Sequence, residues 1–516
     1  MKHPHRRQFL QQAAKATALG TSGAWLANLA SVQQAAAQTA STDYKALVCV
    51  FLAGGNDGHN TVIPIDTTSW RCYSATRDPK VMAQVNGTTP ADNTTSIALS
   101  QASLLRINHL NTKGLNTGRS FALHPQLKRI QQLYTQGNGA IVANIGPLIQ
   151  PTTKVDLFDQ TFEVPRKLYS HNDQTSTWQS FGPEGMTGGW GGRLMDSLAS
   201  RNVNPTFSSI GVNATSVWLN GQQVMPYLLG TGGFHVMGGS GGAVFGSAAL
   251  FKAVRTAAST SSREDVLIKD YTRTTRRALD SEAALSQGLP LQNQAPWGTA
   301  SAASSATDPL LQYIEPADGK TYLNPLAAQL QVVARMIAAR NAGAIGARRQ
   351  VFMVTLGGFD THSDQLRQHA SQLAKLDHAI DYFQKCLTQM PGGDMRSQVT
   401  TFTASEFGRA LVNNGDGSDH GWGGHHFVFG GAVKGGEVYG KYPQFMAFDG
   451  DGEFFSDQLL RGGVLLPGLS VDQLVYTLGK WMGVSESALV GATPGTGLAP
   501  NIANFEAASR NIGFMV

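Results

Sequence analysis

Residues 46–60, ALVCVFLAGGNDGHN, open on eight unbroken apolar residues and close on a turn carrying Asn56, Asp57, His59 and Asn60. A run with no polar face is how a strand buried on both sides reads, and such strands belong to parallel sheets covered by helices. AIVANI (140–145) and QVFMVTL (350–356) repeat the form, and a β-branched and aromatic run follows at 399–403. Between them lie helical patterns, so the chain is predicted to be α/β with a mainly parallel central sheet. In open α/β sheets, ligands gather beyond the carboxyl ends of the strands. Three of these strands end in Gly or Ser and then an acid: Asp57, Asp360 and Glu406.

The third acid opens the richest stretch, TFTASEFGRALVNNGDGSDHGWGGHHFVFGG (401–431), with Asp416, Asp419, His420, His425 and His426 close behind Glu406. Turn chemistry alone accounts for Asn, Asp and Gly. It does not account for three His among residues 420–426 beside an acid. Carboxylate and imidazole are the ligand types of zinc, manganese and iron; calcium and magnesium take oxygen alone. GGFDTHSDQ (357–365) adds His362 two residues after Asp360, where both side chains reach one side of an extended chain. Three acids and two or more His are enough for one or two divalent ions, and a two-ion site clamps a transferring phosphoryl or sulfuryl group.

The 516 residues carry a net charge of +5, but the first 37 hold Lys2, Arg6, Arg7 and Lys15 and no acid, which leaves the remainder near +1. That balance gives no case for nucleic acid. RRQFL (6–10), a weakly apolar Ala-rich stretch and Ala35-Ala36-Ala37 read as a twin-arginine export signal over 1–37. No stable membrane span is expected. Cys49, Cys72 and Cys386 show no paired spacing and read as buried free thiols.

Residues 73–118 are polar without a clear period and read as loop and irregular pieces. A helix is expected from Pro125 through Tyr134, and another after Ser170, in LYSHNDQTSTWQS (168–180). A hydroxyl at that helix start suits a nucleophile, and equally suits an N-cap. Ser262 with Asp265 reads as a capping box, Asn324-Pro325 as a helix start, and Ser470 with Gln473 as another box. The helix after 365 carries His369 and His378, read as surface or cap residues.

In order along the chain, GGNDGHNTVIP, LYSHNDQTSTWQS, GGFDTHSDQ, TASEFGR, SDHGWGGHHFVFGGAVKGG and SVDQLVYTLGKWMGV resemble an exported bacterial family known as domain of unknown function 1501. That family is grouped with the alkaline-phosphatase-like superfamily. The resemblance implies a three-layer α/β/α domain over 44–516, with loop-rich insertions around 185–323. It implies two divalent ions, with zinc, manganese and calcium not told apart. Their ligands would come from Asp57, Asp360, His362, Glu406, Asp419, His420 and His425. The superfamily's nucleophile would fall within 170–177, with Ser170 and Thr175 as candidates, and Arg409 would hold an anionic substrate by a bidentate contact. The function implied is hydrolysis of phosphate or sulfate esters by a periplasmic or secreted protein. Its partners would be a small anionic ester and, during export, the twin-arginine translocase. The alternative is a non-catalytic metal-containing binding or scaffold protein on the same fold.

Overall fold

The strands predicted from the apolar runs form, and they share one sheet. The computed structural model describes residues 43–86, 89, 95–108, 114–158, 162–234, 236, 242–260, 265–446 and 454–516. The twin-arginine signal and Ser262 lie outside the described residues. Residues 45–516 form one compact unit. Among the described residues, no helix is long and apolar enough to cross a membrane.

Among the described residues the central sheet has nine strands: β1 (Lys45–Leu52), β2 (Gly139–Gly146), β3 (Ser209–Val212), β4 (Tyr227–Leu229), β5 (Arg349–Leu356), β6 (Val399–Ala404), β7 (Gly424–Phe429), β8 (Val438–Tyr439) and β9 (Leu469–Ser470). Their order is β8-β2-β7-β6-β1-β5-β3-β4, with β9 also on β2. Strands β1, β5 and β6 are parallel and nearly in step, with Leu52 opposite Leu356 and Phe51 opposite Ala404. Their carboxyl ends therefore share one edge of the sheet. Strand β7 alone runs against its neighbours, β6 and β2. After β6 the chain forms a small ribbon, Arg409–Asn413 paired with Ser418–His420, and enters β7 from that same edge. Topology thus brings the loops at 54–60, 357–365 and 405–423 together.

Helices cover both faces. On one, Leu47, Cys49, Phe51, Val351, Met353 and Phe402 pack with Trp190 and Leu194 of α4 (Trp190–Leu198) and Val475 and Leu478 of α7 (Val471–Met482). Trp190 stacks on Phe402 with ring centroids 5.8 Å apart. The intervening Val48, Val50, Phe352 and Val354 are equally buried. On their side α5 (Pro325–Ala338) packs against β5 and α6 (Gln365–Thr388). Asn324 caps α5 as expected, and the Ser470–Gln473 box caps α7. The three cysteines are free and buried.

Four expectations are corrected. The polar segment 73–118 is helical at its start, where α2 (Thr67–Arg77) runs into it and a second helix, Pro79–Asn86, follows; its described residues from 95 on are loop with a 3-10 turn at Gln101–Ser103 and a short strand at Leu105–Ile107, as expected. The buried face of α2 is Ser69, Cys72, Tyr73, Thr76 and Arg77, correctly spaced but largely polar, so hydrophobic periodicity does not reveal it. The helix expected from Pro125 starts at Lys128, where the Asp377 carboxylate of α6 accepts the Arg129 and Ile130 amides at 2.8 Å each. Asp265 caps its helix directly, through the Leu267 and Ile268 amides. His369 is buried rather than on the surface, with Nε2 3.1 Å from Asn56 Oδ1.

Candidate functional site

Two acidic centres sit on the carboxyl edge of the sheet; each is paired with a buried arginine, and they differ in exposure and in their other partners. Asp57 follows β1 and N-caps the single-turn helix α1 (Gly58–Thr61). It is fully buried against Arg77 of α2, which is equally buried. Arg77 Nη1 donates to Oδ2 at 2.5 Å and Nη2 to Oδ1 at 3.0 Å. The His59 amide adds a bond to Oδ1 and Gln365 Nε2 one to Oδ2. Burial alone would push the Asp57 carboxyl up, but the charge and hydrogen bonds of Arg77 prevail and hold it well below the ordinary range. Arg77 also donates to the Leu411 and Ala410 carbonyls, so its guanidinium is fixed from both ends.

Asp360 follows β5 and is half-exposed. Three imidazoles converge on it. His362 Nε2 is 3.1 Å from Oδ1, His420 Nε2 is 3.2 Å from Oδ1, and His171 Nε2, from the start of α3 (His171–Ser180), is 3.4 Å from Oδ2. The His362 and His420 Nε2 atoms are 2.9 Å apart. One donor atom each from His171, Asp360 and His420 lies within 4.8 Å of the others.

The partners on the far side of two rings fix how they are protonated. His420 Nδ1 is 2.7 Å from the Tyr169 carbonyl, which can only accept, so the proton sits on Nδ1. His171 Nδ1 is 2.9 Å from Glu406 Oε1, likewise an acceptor. Glu406 is itself held by the Gly54 amide at 2.8 Å. The hydrogen bond with Glu406, the largest influence on His171, raises its pKa against the opposing effect of burial. In their neutral forms both rings then turn an Nε2 lone pair toward the Asp360 carboxylate. Acceptors facing one another at 3.2–3.4 Å need a proton or a cation between them.

Arg409 ties Asp360 to the scaffold. Burial pushes the Asp360 carboxyl up, and the Arg409 hydrogen bond and charge outweigh that and leave it lowered. Arg409 is fully buried, with Nη1 on Asp360 Oδ1 (3.0 Å) and the Gly54 carbonyl (2.9 Å), and Nε on the Ser418 carbonyl (3.1 Å). All three of its guanidinium nitrogens hold protein partners. Gln365 completes a chain between the two centres: its Nε2 meets Asp57, and its Oε1 accepts from Ser418 Oγ at 2.5 Å. Gly54 lets these strand ends approach, since a Cβ there would stand 2.3 Å from the Asp360 amide.

The remaining expected site residues lie as follows. Asp419 faces His362 Nδ1 at 3.6 Å, on the side of that ring away from Asp360. His425 is outside the cluster: it is buried, stacked on Tyr442 at 4.3 Å, and its Nδ1 accepts the Asn144 amide. Burial holds it well below the ordinary imidazole range. Ser170 stands at the start of α3, where its hydroxyl donates to Asp173 Oδ2 at 2.8 Å. Thr175 is half-buried one turn along from His171. Two central residues escape a sequence reading, Arg77 and His171. His171 stands inside the motif of 168–180, where the hydroxyls around it draw the attention.

Residues 44–492 match the family described as "Protein of unknown function (DUF1501)", and the chain belongs to that family. No curated protein matches the chain. Among solved structures it is similar to the C-terminal periplasmic domain of EptC from Escherichia coli in complex with zinc. The two share 9% sequence identity, with a TM-score of 0.32 over 90% of this chain and 88% of that one.

Proposed function

We propose that this member of the DUF1501 family is an exported, metal-dependent hydrolase of phosphate or sulfate esters on an alkaline-phosphatase-like, three-layer fold, with its metal at Asp360. The observation that carries the reading is the orientation of His171 and His420. Each gives its Nδ1 proton to a fixed acceptor and aims Nε2 at the same carboxylate, which is how metal-binding histidines are held. The donor spacings of 2.9, 3.1 and 3.2 Å among His362, His420 and Asp360 suit atoms sharing one ion, since ligand bonds of about 2.0–2.2 Å place neighbouring donors roughly 3 Å apart.

The donor set fits zinc, manganese or iron better than calcium or magnesium, because imidazole is a poor ligand for the latter pair. His171, Asp360 and His420 would hold the metal, with His362 flanking. A divalent ion there supplies Lewis acidity toward an ester oxygen and acidifies bound water. Glu406 orients His171, Tyr169 orients His420, and Arg409 fixes the direction of the Asp360 carboxylate. The side chains of Asp360 and His362 are 44% and 45% exposed, so an anionic group on a bulky molecule can reach them without a lid. The twin-arginine pattern at 1–37 supports export of the folded chain into the periplasm or beyond, with the twin-arginine translocase as its partner in transit.

The test is turnover of aryl phosphate and aryl sulfate esters by the purified protein, before and after chelation and re-addition of zinc or manganese. Turnover that disappears with chelator, returns with metal and is lost in Asp360→Asn is expected. Turnover indifferent to chelator would overturn the reading. One observation favours the non-catalytic alternative: the Ser170 hydroxyl is committed to Asp173 instead of pointing at the cluster. That alternative expects metal binding with no turnover of any ester.

A further inference from the structure

We infer that the chain binds one divalent cation where the resemblance implies two, and that Arg77 supplies, at Asp57, the positive charge of the second. The inference rests on the metal-dependent reading and narrows it.

A carboxylate has about four acceptor positions. Asp57 has four donors: Arg77 Nη2 and the His59 amide on Oδ1, Arg77 Nη1 and Gln365 Nε2 on Oδ2. No lone pair is left for a cation. Arg77 cannot swing away cheaply, because its Nε and Nη2 also serve the Leu411 and Ala410 carbonyls in a region closed to solvent. A guanidinium here does the electrostatic work of an ion permanently, with a partner that cannot dissociate or deprotonate.

The other ligands implied for a second site hold partners of their own or stand off the cluster. Glu406 Oε1 takes the His171 ring and the Gly54 amide. His425 Nδ1 accepts the Asn144 amide, so the ring proton sits on Nε2, which has no partner and no lone pair for a cation, and the ring face lies on Tyr442. Asp419 accepts from Asn414 Nδ2 at 2.7 Å and approaches His362 from its Nδ1 side. What remains around the three Nε2 atoms is a single carboxylate, Asp360, already shared with the Arg409 cation. One dication there would be held by one carboxylate and neutral imidazoles, with the Glu406 carboxylate behind His171 as the next counter-charge. Two dications beside Arg409 would face strong mutual repulsion with a single carboxylate in direct contact.

The experiment is elemental analysis of the wild-type protein, folded and dialysed under metal-replete conditions, read as ions per chain. It is accompanied by spectroscopy of the cobalt-loaded protein, which separates isolated from coupled ions. One ion per chain with an uncoupled signal is the expected result. Two ions, or a coupled pair, would overturn this inference and leave the metal-dependent reading intact. No ion would overturn both. The double variant Asp57→Asn with Arg77→Met, which removes both buried charges together, is expected to keep the count at one. A lower count in folded double variant would place a ligand at Asp57 and contradict the inference.

Discussion

Asp57 and Asp360 look alike in the chain, each following a buried strand and a Gly-rich turn, yet they end in opposite states. Asp57 is closed to solvent and saturated by a bidentate arginine. Asp360 is half-open and under-supplied with donors, with three imidazoles turned toward it and one fixed arginine. The difference comes from what the neighbouring elements deliver. Helix α2 carries Arg77 into the first site, whereas the ribbon and α3 carry His420 and His171 to the second. An acid at a strand end is therefore an address, and its chemistry is set by the side chains that arrive from elsewhere. The Gln365–Ser418–Arg409 chain joins the two, so the buried pair steadies the carboxylate that the open site uses.

The sharpest way to break this contrast is to remove one charge from each centre. Arg77→Met leaves Asp57 buried and unpaired, and a loss of about 3–5 kcal/mol is expected in urea unfolding. Asp360→Asn, at a half-exposed position, is expected to cost about 1 kcal/mol or less. Equal losses would erase the distinction. Glu406→Gln keeps the shape of the His171 partner and removes its charge. Metal affinity is expected to fall about 10- to 100-fold, as when a ligand's orienting partner is changed. An unchanged affinity would mean that Glu406 does not orient a ligand.

A pH series sharpens the comparison from the interior side. His124, His369 and His426 are depressed by burial to about 3, 4 and 3 from the ordinary 6.5. Protonation is then open chiefly to the unfolded chain. Their contribution to stability is complete above pH 6.5 and is lost as pH falls toward their folded values. Asp377 and Asp472, pushed up by burial to about 6, act in the opposite sense and lose their contribution as pH rises from 3.8 through about 6. With more buried histidines than raised acids, the melting temperature is expected to decline below about pH 6.5. His369→Gln is expected to soften that decline, and calorimetry from pH 4 to 8 reads both. An effect of similar size to that of Asp360→Asn is expected from Asp66→Ala, which removes the cap on α2 at the Ser69 amide together with the Arg119 ion pair and costs about 1 kcal/mol.

The α/β class and the mainly parallel sheet were legible because β1, β2 and β5 are apolar on both faces. The caps at Asn324 and Ser470 were legible because they are local. Asp360, His362 and His420 were legible as a group, since strand ends and a histidine-rich loop mark them and parallel topology puts them on one edge. Arg77 was not, because the buried face of α2 is polar and its partner lies 20 residues away. Glu406 reads in the sequence as a metal ligand, and its place as the partner of His171 depends on a contact across 235 residues. His425 sits five residues after His420 but on a strand of reversed direction, which carries it inward to Tyr442. Spacing in the chain shows which residues approach an edge, and packing decides which of them face each other across it.

The most direct measurement is zinc affinity by competition titration against a chromophoric chelator, for wild type, Asp57→Asn and Asp360→Asn side by side. Tight binding kept in Asp57→Asn and lost by at least about 100-fold in Asp360→Asn is the result expected of a site built on Asp360. Binding that survives in Asp360→Asn, or that falls equally in Asp57→Asn, would contradict it.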